Sequence, residues 1–112
     1  MTRKKLGLSE KSQQRISWLR DRLSRFDLVC SGTLIERMKR CGKSNCLCAK
    51  DPKALHGPYR EWSRREGNRL AHTILSASEA QLIKQGIENY REIQKLLRKW
   101  EKASLKAIRE ID

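Results

Sequence analysis

The chain has 112 residues and a mass of 13.1 kDa, which is enough for one small domain and leaves no room for two. Its 26 Lys and Arg residues outnumber its 13 Asp and Glu residues, so the formal net charge is +13, which predicts attraction to polyanions. Because only 38% of the residues are hydrophobic and 5% are aromatic, the core must be thin, and we expect a metal, disulfides or oligomerisation to add stability.

The apolar runs are far shorter than the roughly 18 residues that a membrane span requires, so we expect no membrane protein. Residues 1–8 predict a flexible basic N-terminus, and no apolar stretch of a secretory signal follows them. We therefore expect a cytoplasmic protein. In that reducing compartment, its four cysteines favour a metal site or separate thiols over a disulfide framework.

An N-terminal helix is predicted over residues 9–27. The apolar side chains there recur at spacings of three and four, as one face of a helix requires, and they are Ile16, Leu19, Leu23 and Phe26.

Residues 28–75 predict a small β module. The apolar period changes to two, which indicates short strands at 33–40, 59–65 and 69–75. The last two are joined by a two-residue hairpin loop, either Glu66-Gly67 or Gly67-Asn68, and both registers place the same side chains together.

Because successive side chains of a strand point to opposite sides, the residues of the hairpin belong to two faces. One face holds Arg60, Trp62, Arg64, Arg69, Ala71 and Thr73. The other holds Tyr59, Leu70, His72 and Ile74, although Glu61 and Ser63 dilute its apolar character. We expect the second face to form the core and the first to be a basic surface that carries one aromatic side chain.

Residues 76–112 predict a C-terminal helical arm. Ser76 and Glu79 have the spacing of a capping box, so the helix should begin at Ala77, and Gly86 makes a break or bend plausible. A heptad-like seam follows, at Ile83, Gly86, Tyr90, Ile93, Leu97, Trp100, Ser104, Ala107 and Ile111. The N-terminal helix is too short to cover this seam. The remainder either packs on the β module or pairs with a second chain as a coiled coil.

Three cysteines and one histidine lie close together in the sequence, at Cys41, Cys46, Cys48 and His56. Thiolates and imidazoles are the ligands that zinc prefers in structural sites, and Cys46 and Cys48 are too close to form a comfortable disulfide. The fourth ligand stays open among His56, Cys30, His72 and Asp51, with His56 first because its Gly-Pro loop offers an imidazole no core. Three thiolates and one imidazole would close the zinc shell, which favours a structural site over a catalytic one.

Basic residues are concentrated around this cluster and in the hairpin. The predicted nucleic-acid-binding residues are Arg37, Lys39, Arg40, Lys43, Arg60, Trp62, Arg64, Arg65 and Arg69. The arginines and lysines would contact phosphates, and Trp62 or Tyr59 would stack on a base or sugar.

These motifs resemble a family of small, uncharacterised prokaryotic proteins, often found beside mobile-element genes and catalogued as a domain of unknown function. The matching elements are residues 31–37, Arg40-Cys41-Gly42-Lys43 with Cys46 and Cys48, His56-Gly57-Pro58-Tyr59 and the basic hairpin, within residues 28–100. The resemblance implies that Cys41, Cys46, Cys48 and His56 form one set, to which Cys30 and His72 do not belong. It implies no activity.

The sequence therefore predicts an α+β fold, in which a three-stranded antiparallel zinc-stabilised module is flanked by an N-terminal helix and a long coiled-coil-like C-terminal helix. We expect a DNA-binding accessory protein of a mobile element or phage, and not an enzyme. RNA binding is the second hypothesis. The third is a helical adaptor that docks on a larger enzyme, and the C-terminal helix could pair with itself or with a protein partner.

Overall fold

A computed structural model describes residues 7–40 and 42–111. It confirms the predicted α+β fold: an N-terminal helix, a three-stranded antiparallel sheet and a long C-terminal helix. These elements are α1 (Glu10–Leu23), β1 (Thr33–Lys39), β2 (His56–Glu66), β3 (Arg69–Leu75) and α2 (Ala77–Arg109). Most of the N-terminus predicted to be flexible lies outside the described residues. Neither helix in the described part of the chain has the length and apolar character needed to cross a membrane.

The chain divides into two compact units. One contains Leu28–Glu88, with the sheet and the first turns of α2, and is called the β unit. The other contains Met1–Asp27 and Asn89–Asp112, with α1 and the rest of α2, and is called the helical unit.

The core of the helical unit forms where α1 packs on α2. Ser9 caps α1, since its hydroxyl accepts a hydrogen bond from the backbone N–H of Ser12 at 3.1 Å. Leu19, Leu96 and Ala103 are the buried centre of this core. Around them pack the side chains of Ile16, Leu23, Phe26 and Trp100. The four apolar residues predicted for the first helix thus all contribute to the core.

Two residues of the predicted seam of α2, Leu97 and Ile111, are exposed, and Ile111 lies beyond the end of the helix at Arg109. Leu96 is 6% exposed and belongs to the core, whereas Leu97 is 50% exposed. Both leucines lie three or four residues from Ile93 and Trp100, so helical spacing permits either. Leu96 lies seven residues before Ala103 and eleven before Ala107, which are both buried, and these three side chains share one face of the helix.

The capping box at the start of α2 is present. The Ser76 N–H donates to Glu79 Oε1 at 2.9 Å, and the Glu79 N–H donates to Ser76 Oγ at 3.2 Å. The hydrogen bond from the Ser76 N–H lowers the pKa of the Glu79 carboxyl, and its side-chain hydrogen bond with Ser76 adds to the effect. Because the pKa is lowered by folding, this contribution to stability is present at neutral pH and is lost as the pH falls through the lowered pKa.

The strands form one sheet in the order β1-β2-β3. Glu66 pairs with Arg69, so the hairpin loop is Gly67-Asn68, one of the two registers that the sequence allowed. Gly67 has a φ of 64°, the positive value that the first position of a primed hairpin turn requires. Trp62 pairs with Thr73 and with Leu34, which confirms the predicted division of side chains between two faces.

The prediction of which face forms the core was wrong. On the face predicted to be apolar core, Leu70 is 60% exposed and Ile74 is 49% exposed, and Ile35 of β1, on the same face, is 40% exposed. On the face predicted to be a basic surface, Trp62 and Arg64 are partly buried and Leu75 is buried. We call the first the open face and the second the covered face.

The three residues that precede β1, Cys30–Gly32, contact both α2 and the covered face of the sheet. The Cys30 N–H donates to the Gly86 carbonyl of α2 at 3.1 Å, and the Trp62 indole N–H donates to the Ser31 carbonyl at 2.7 Å. Gly32 has a φ of 94°, and a Cβ there would collide with the Ser63 carbonyl oxygen of β2. The segment Cys30–Gly32 thus touches both α2 and the covered face of the sheet.

Gly86 does not break α2, contrary to the sequence-based expectation, because the helix continues unbroken to Arg109. A Cβ at Gly86 would lie 2.7 Å from Cys30 Sγ and 3.1 Å from the Cys30 backbone nitrogen. The glycine is therefore needed for the close approach of the Cys30 backbone to the helix.

The adjacent leucines of α2 provide a matched test of the core. Leu96→Ala is expected to lower the free energy of unfolding by about 2–5 kcal/mol because it empties a buried site, and Leu97→Ala by at most about 1 kcal/mol. Urea unfolding followed by circular dichroism measures both. Equal losses would contradict the assignment of Leu96 to the core.

Gly86→Ala tests the contact between Cys30 and α2. Alanine favours a helix by about 1 kcal/mol over glycine, yet we expect the variant to be destabilised, because overpacking costs about 1–3 kcal/mol and the Cys30 to Gly86 hydrogen bond is strained as well. Cys30→Gly removes two of the three atoms that a Cβ at position 86 would crowd, the Cβ and Sγ of Cys30. The destabilisation caused by Gly86→Ala should therefore be smaller in a Cys30→Gly protein. Gln85→Ala, at an exposed neighbouring position, is the control and should be nearly neutral. A Gly86→Ala protein that melts above the wild type would disprove this packing.

Candidate metal centre

The connection between β1 and β2 starts and ends at neighbouring positions of the sheet. Lys39, the last residue of β1, pairs with His56, the first residue of β2. The intervening segment contains two short 3₁₀ turns, Leu47–Ala49 and Pro52–Ala54. Asp51 begins the second turn, where its carboxylate accepts a hydrogen bond from the Lys53 N–H at 2.9 Å. The segment is thus folded by its own backbone and cap interactions.

The first 3₁₀ turn positions two cysteines. Cys46 is its N-cap residue, and the Ala49 N–H donates to the Cys46 carbonyl at 3.1 Å. Cys48 lies inside the turn and is completely buried. Tight turning over Cys46-Leu47-Cys48 brings the two thiols to the same side as the first residue of β2.

Three of the four predicted ligands come together. The Sγ atoms of Cys46 and Cys48 and a ring nitrogen of His56 all lie within 4.8 Å of one another, which is close enough to hold a metal ion. Cys46 Sγ is 3.0 Å from His56 Nε2. In a tetrahedral zinc site the ligand atoms are separated by about 3.5–3.8 Å, so small side-chain movements would fit this set to a metal.

Cys41, the remaining member of the predicted ligand set, lies outside the described residues. The alternatives to His56 have other roles. Cys30 packs against Gly86, His72 Nδ1 is hydrogen-bonded to Ser63 Oγ at 2.8 Å, and Asp51 caps a 3₁₀ turn. The structure thus agrees with the choice of His56 over these three.

The surroundings of the cluster are basic. Arg40, Lys43, Lys50 and Lys53 are exposed, and Asp51 is the single acidic residue between positions 39 and 56. Lys39 Nζ lies over the ring of Tyr59, 5.2 Å from its centroid. The candidate metal ligands thus lie in a segment with a strong excess of positive charge.

The residues predicted to bind nucleic acid divide into two groups. Arg64 is held inside the fold, since it stacks on Trp62 at 4.1 Å, donates to Thr73 Oγ1 at 2.6 Å and pairs with Glu66 at 3.1 Å. Arg37 pairs with Glu61 at 3.6 Å, and Arg60 lies 3.9 Å from Glu36. By contrast, Arg40, Lys43, Arg65 and Arg69 are exposed and make no ion pair with another described residue.

The sequence-based reasoning missed the open face as a surface. Leu70 and Ile74 were expected in the core but are exposed, as is Ile35 on the same face. The signal that could have revealed this was the presence of Glu61 and Ser63 on the same face, because glutamate and serine side chains are mostly exposed in folded proteins.

A family model described as a domain of unknown function, DUF6788, matches residues 9–85. No curated protein and no solved structure matches the chain.

Metal analysis tests the cluster directly. We expect the purified protein to bind one metal ion per chain, and Cys46→Ser to lose most of it because a thiolate ligand is removed. The Cys46→Ser protein should also lose hydrogen-exchange protection in β1 and β2 while the helical unit keeps its protection. Cys30→Ser removes a thiol outside the cluster and should retain the metal. Equal metal content in both variants, or none in the wild type, would contradict this prediction.

Proposed function

The chain belongs to the DUF6788 family, described as a domain of unknown function, and we propose that it is a zinc-stabilised nucleic-acid-binding protein that prefers DNA. The observation that carries the proposal is that the Cys46, Cys48 and His56 cluster lies in a segment whose exposed cations, Arg40, Lys43, Lys50 and Lys53, make no ion pair with another described residue. The metal would hold the β unit together, and the cations would bind phosphates. The link to mobile elements that the family resemblance implies is part of this proposal.

Zinc is the metal that suits the donor set. Two thiolates and an imidazole are softer ligands than magnesium or calcium accepts, and zinc sites commonly combine cysteine and histidine. Cys41 is the proposed fourth ligand, because it follows Lys39 by two residues and the backbone of Lys39 pairs with that of His56. Four protein ligands would leave no open position for a substrate, so the proposed role of zinc is structural, and the protein would not be an enzyme.

The small core of the β unit supports a structural role for the metal. Its buried hydrophobic residues are Cys48, Leu75, Ala80 and Ile87. So few buried side chains provide little hydrophobic stabilisation for a module of this size. A metal that joins Cys46 and Cys48 to His56 would link the segment before β2 to the strand itself, and its binding free energy would add to the free energy of folding.

The charge distribution supports a polyanionic partner. Residues 31–75 carry 10 Lys and Arg residues against 4 Asp and Glu residues. Arg40, Lys43, Arg65 and Arg69 lack ionic partners among the described residues, so their charges are available to phosphates at no cost in broken ion pairs.

A second candidate function is the helical adaptor. The observation in its favour is the set of exposed leucine and isoleucine side chains on the C-terminal part of α2, at Leu97, Leu105 and Ile108. This function would use α2 to dock on a protein, and the cations of the β unit would then make no contribution to binding.

Salt-dependent binding separates these functions. A labelled random-sequence DNA duplex and RNA of the same sequence are titrated with the zinc-loaded protein at several salt concentrations. We expect DNA to bind more tightly, and each of Arg65→Ala and Arg69→Ala to weaken binding and lower the log–log salt slope by about one unit.

The control for this experiment is Lys102→Ala, an exposed position on α2, which should leave both the affinity and the slope unchanged. Tighter binding to RNA would favour the RNA hypothesis. Absence of binding to either nucleic acid would overturn the proposal and leave the adaptor function, for which Leu97→Glu should abolish self-association or partner binding.

A further inference from the structure

We propose that the open face of the sheet binds in the major groove of duplex DNA. This inference rests on the proposed function and adds to it the form of the nucleic acid and the surface that reads it. Three independent properties of the open face carry the inference: the side chains in its middle, the cations at its two ends and its dimensions.

The middle of the open face carries aliphatic, hydroxyl and imidazole side chains around Glu61, whose side chain is 14% exposed and whose carboxylate is neutralised by Arg37 at 3.6 Å. Ile35 and Ile74 both neighbour Glu61 across the sheet, and Thr33 and His72 both neighbour Ser63. Aliphatic groups contact the thymine methyl group, and hydroxyl groups donate to or accept from base edges in the major groove. The Nδ1 atom of His72 is engaged by Ser63 Oγ, which leaves Nε2 of this exposed ring for an external partner.

The open face is poorly suited to single strands. Proteins that bind single-stranded DNA or RNA stack bases on exposed aromatic rings. The one aromatic residue of the open face is Tyr59, which is partly buried and has Lys39 over its ring. Trp62 lies on the covered face, where it stacks with Arg64 and donates to the Ser31 carbonyl. The exposed ring of the open face is thus the imidazole of His72, and among its described residues this face has no exposed Phe, Tyr or Trp on which a base could stack.

Cations lie at both ends of this face. Arg37, which pairs with Glu61 but keeps 50% of its side chain exposed, lies in the row of Tyr59 near the metal cluster, and Arg65 lies six residues further along β2, beside the hairpin. At about 3.3 Å per residue these rows are about 20 Å apart. With the strands running along the major groove, side chains at the two ends can reach phosphates at the two ends of the site while the middle faces the bases.

The width of the sheet also fits. Three strands spaced about 4.8 Å apart place the outer strands about 10 Å from each other, which is within the width of the major groove. Sheets are a known means of groove recognition by DNA-binding proteins. The A-form RNA duplex has a deep, narrow major groove that side chains cannot read, so the same face would fit it poorly.

The test compares two matched charge substitutions. Ile74→Glu places a carboxylate on the open face, where Ile74 is 49% exposed, and Leu105→Glu places one on α2, where Leu105 is 51% exposed. If the open face binds DNA, Ile74→Glu should weaken duplex binding at least about ten-fold, whereas Leu105→Glu should change it less than about two-fold. Ile35→Glu, on the opposite edge strand, is the second variant in case Ile74→Glu misfolds, and circular dichroism verifies the fold of each.

Chemical protection identifies the groove. Dimethyl sulfate methylates guanine N7 in the major groove and adenine N3 in the minor groove, and we expect saturating zinc-loaded protein to protect guanine N7 alone. Protection of adenine N3 alone, equal effects of the two glutamate substitutions, or tighter binding to the single strand than to the duplex would each overturn this inference while the proposed function still holds. Failure to bind any nucleic acid would overturn both.

Discussion

The arrangement of the β unit depends on the passage of three residues, Cys30–Gly32, between α2 and one face of the sheet. There is no room for side chains at two points of this passage, because Gly86 meets the Cys30 backbone and Gly32 meets the Ser63 carbonyl. The two glycines let the segment come close enough for the Cys30 to Gly86 and Trp62 to Ser31 hydrogen bonds. The segment thereby packs against the Trp62 side chain on the covered face, while Ile35, Leu70 and Ile74 of the other face remain exposed.

This constraint explains why the alternation of side chains predicted the two faces but not their roles. A period of two assigns each residue to a face, and the observed register agrees with that assignment. The choice of the buried face was made on hydrophobicity, where Leu70 and Ile74 outweighed three arginines. The buried face is instead the one that carries the bulkiest ring, because the Trp62 indole N–H needs a hydrogen-bond partner and the Arg64 side chain covers the ring. The partner is a backbone carbonyl 31 residues away, which no local pattern reveals.

The candidate metal ligands were easier to predict than the face of the sheet or the seam of α2. Cys46 and Cys48 belong to one short turn, and His56 follows within the same connection, so local spacing was sufficient to group them. The start of α2 was also predicted from a local signal, the Ser76 and Glu79 pair. By contrast, Leu96 and Leu97 both satisfy helical spacing, and the contact with Leu19 decides between them.

The central strand β2 links stability with the proposed function. Its first residue, His56, belongs to the candidate metal centre, and near its other end the Trp62 ring and the Ser63 carbonyl meet the Ser31-Gly32 segment. Neither set of contacts involves the outer-strand side chains of the open face. Substitutions there should therefore change the free energy of unfolding little, at Ile35, Leu70, His72 and Ile74. The metal and the glycine-lined passage would hold the strand from two places. The open face would thereby be rigid enough to bind a ligand without contributing to the core, the condition that a groove-reading surface needs.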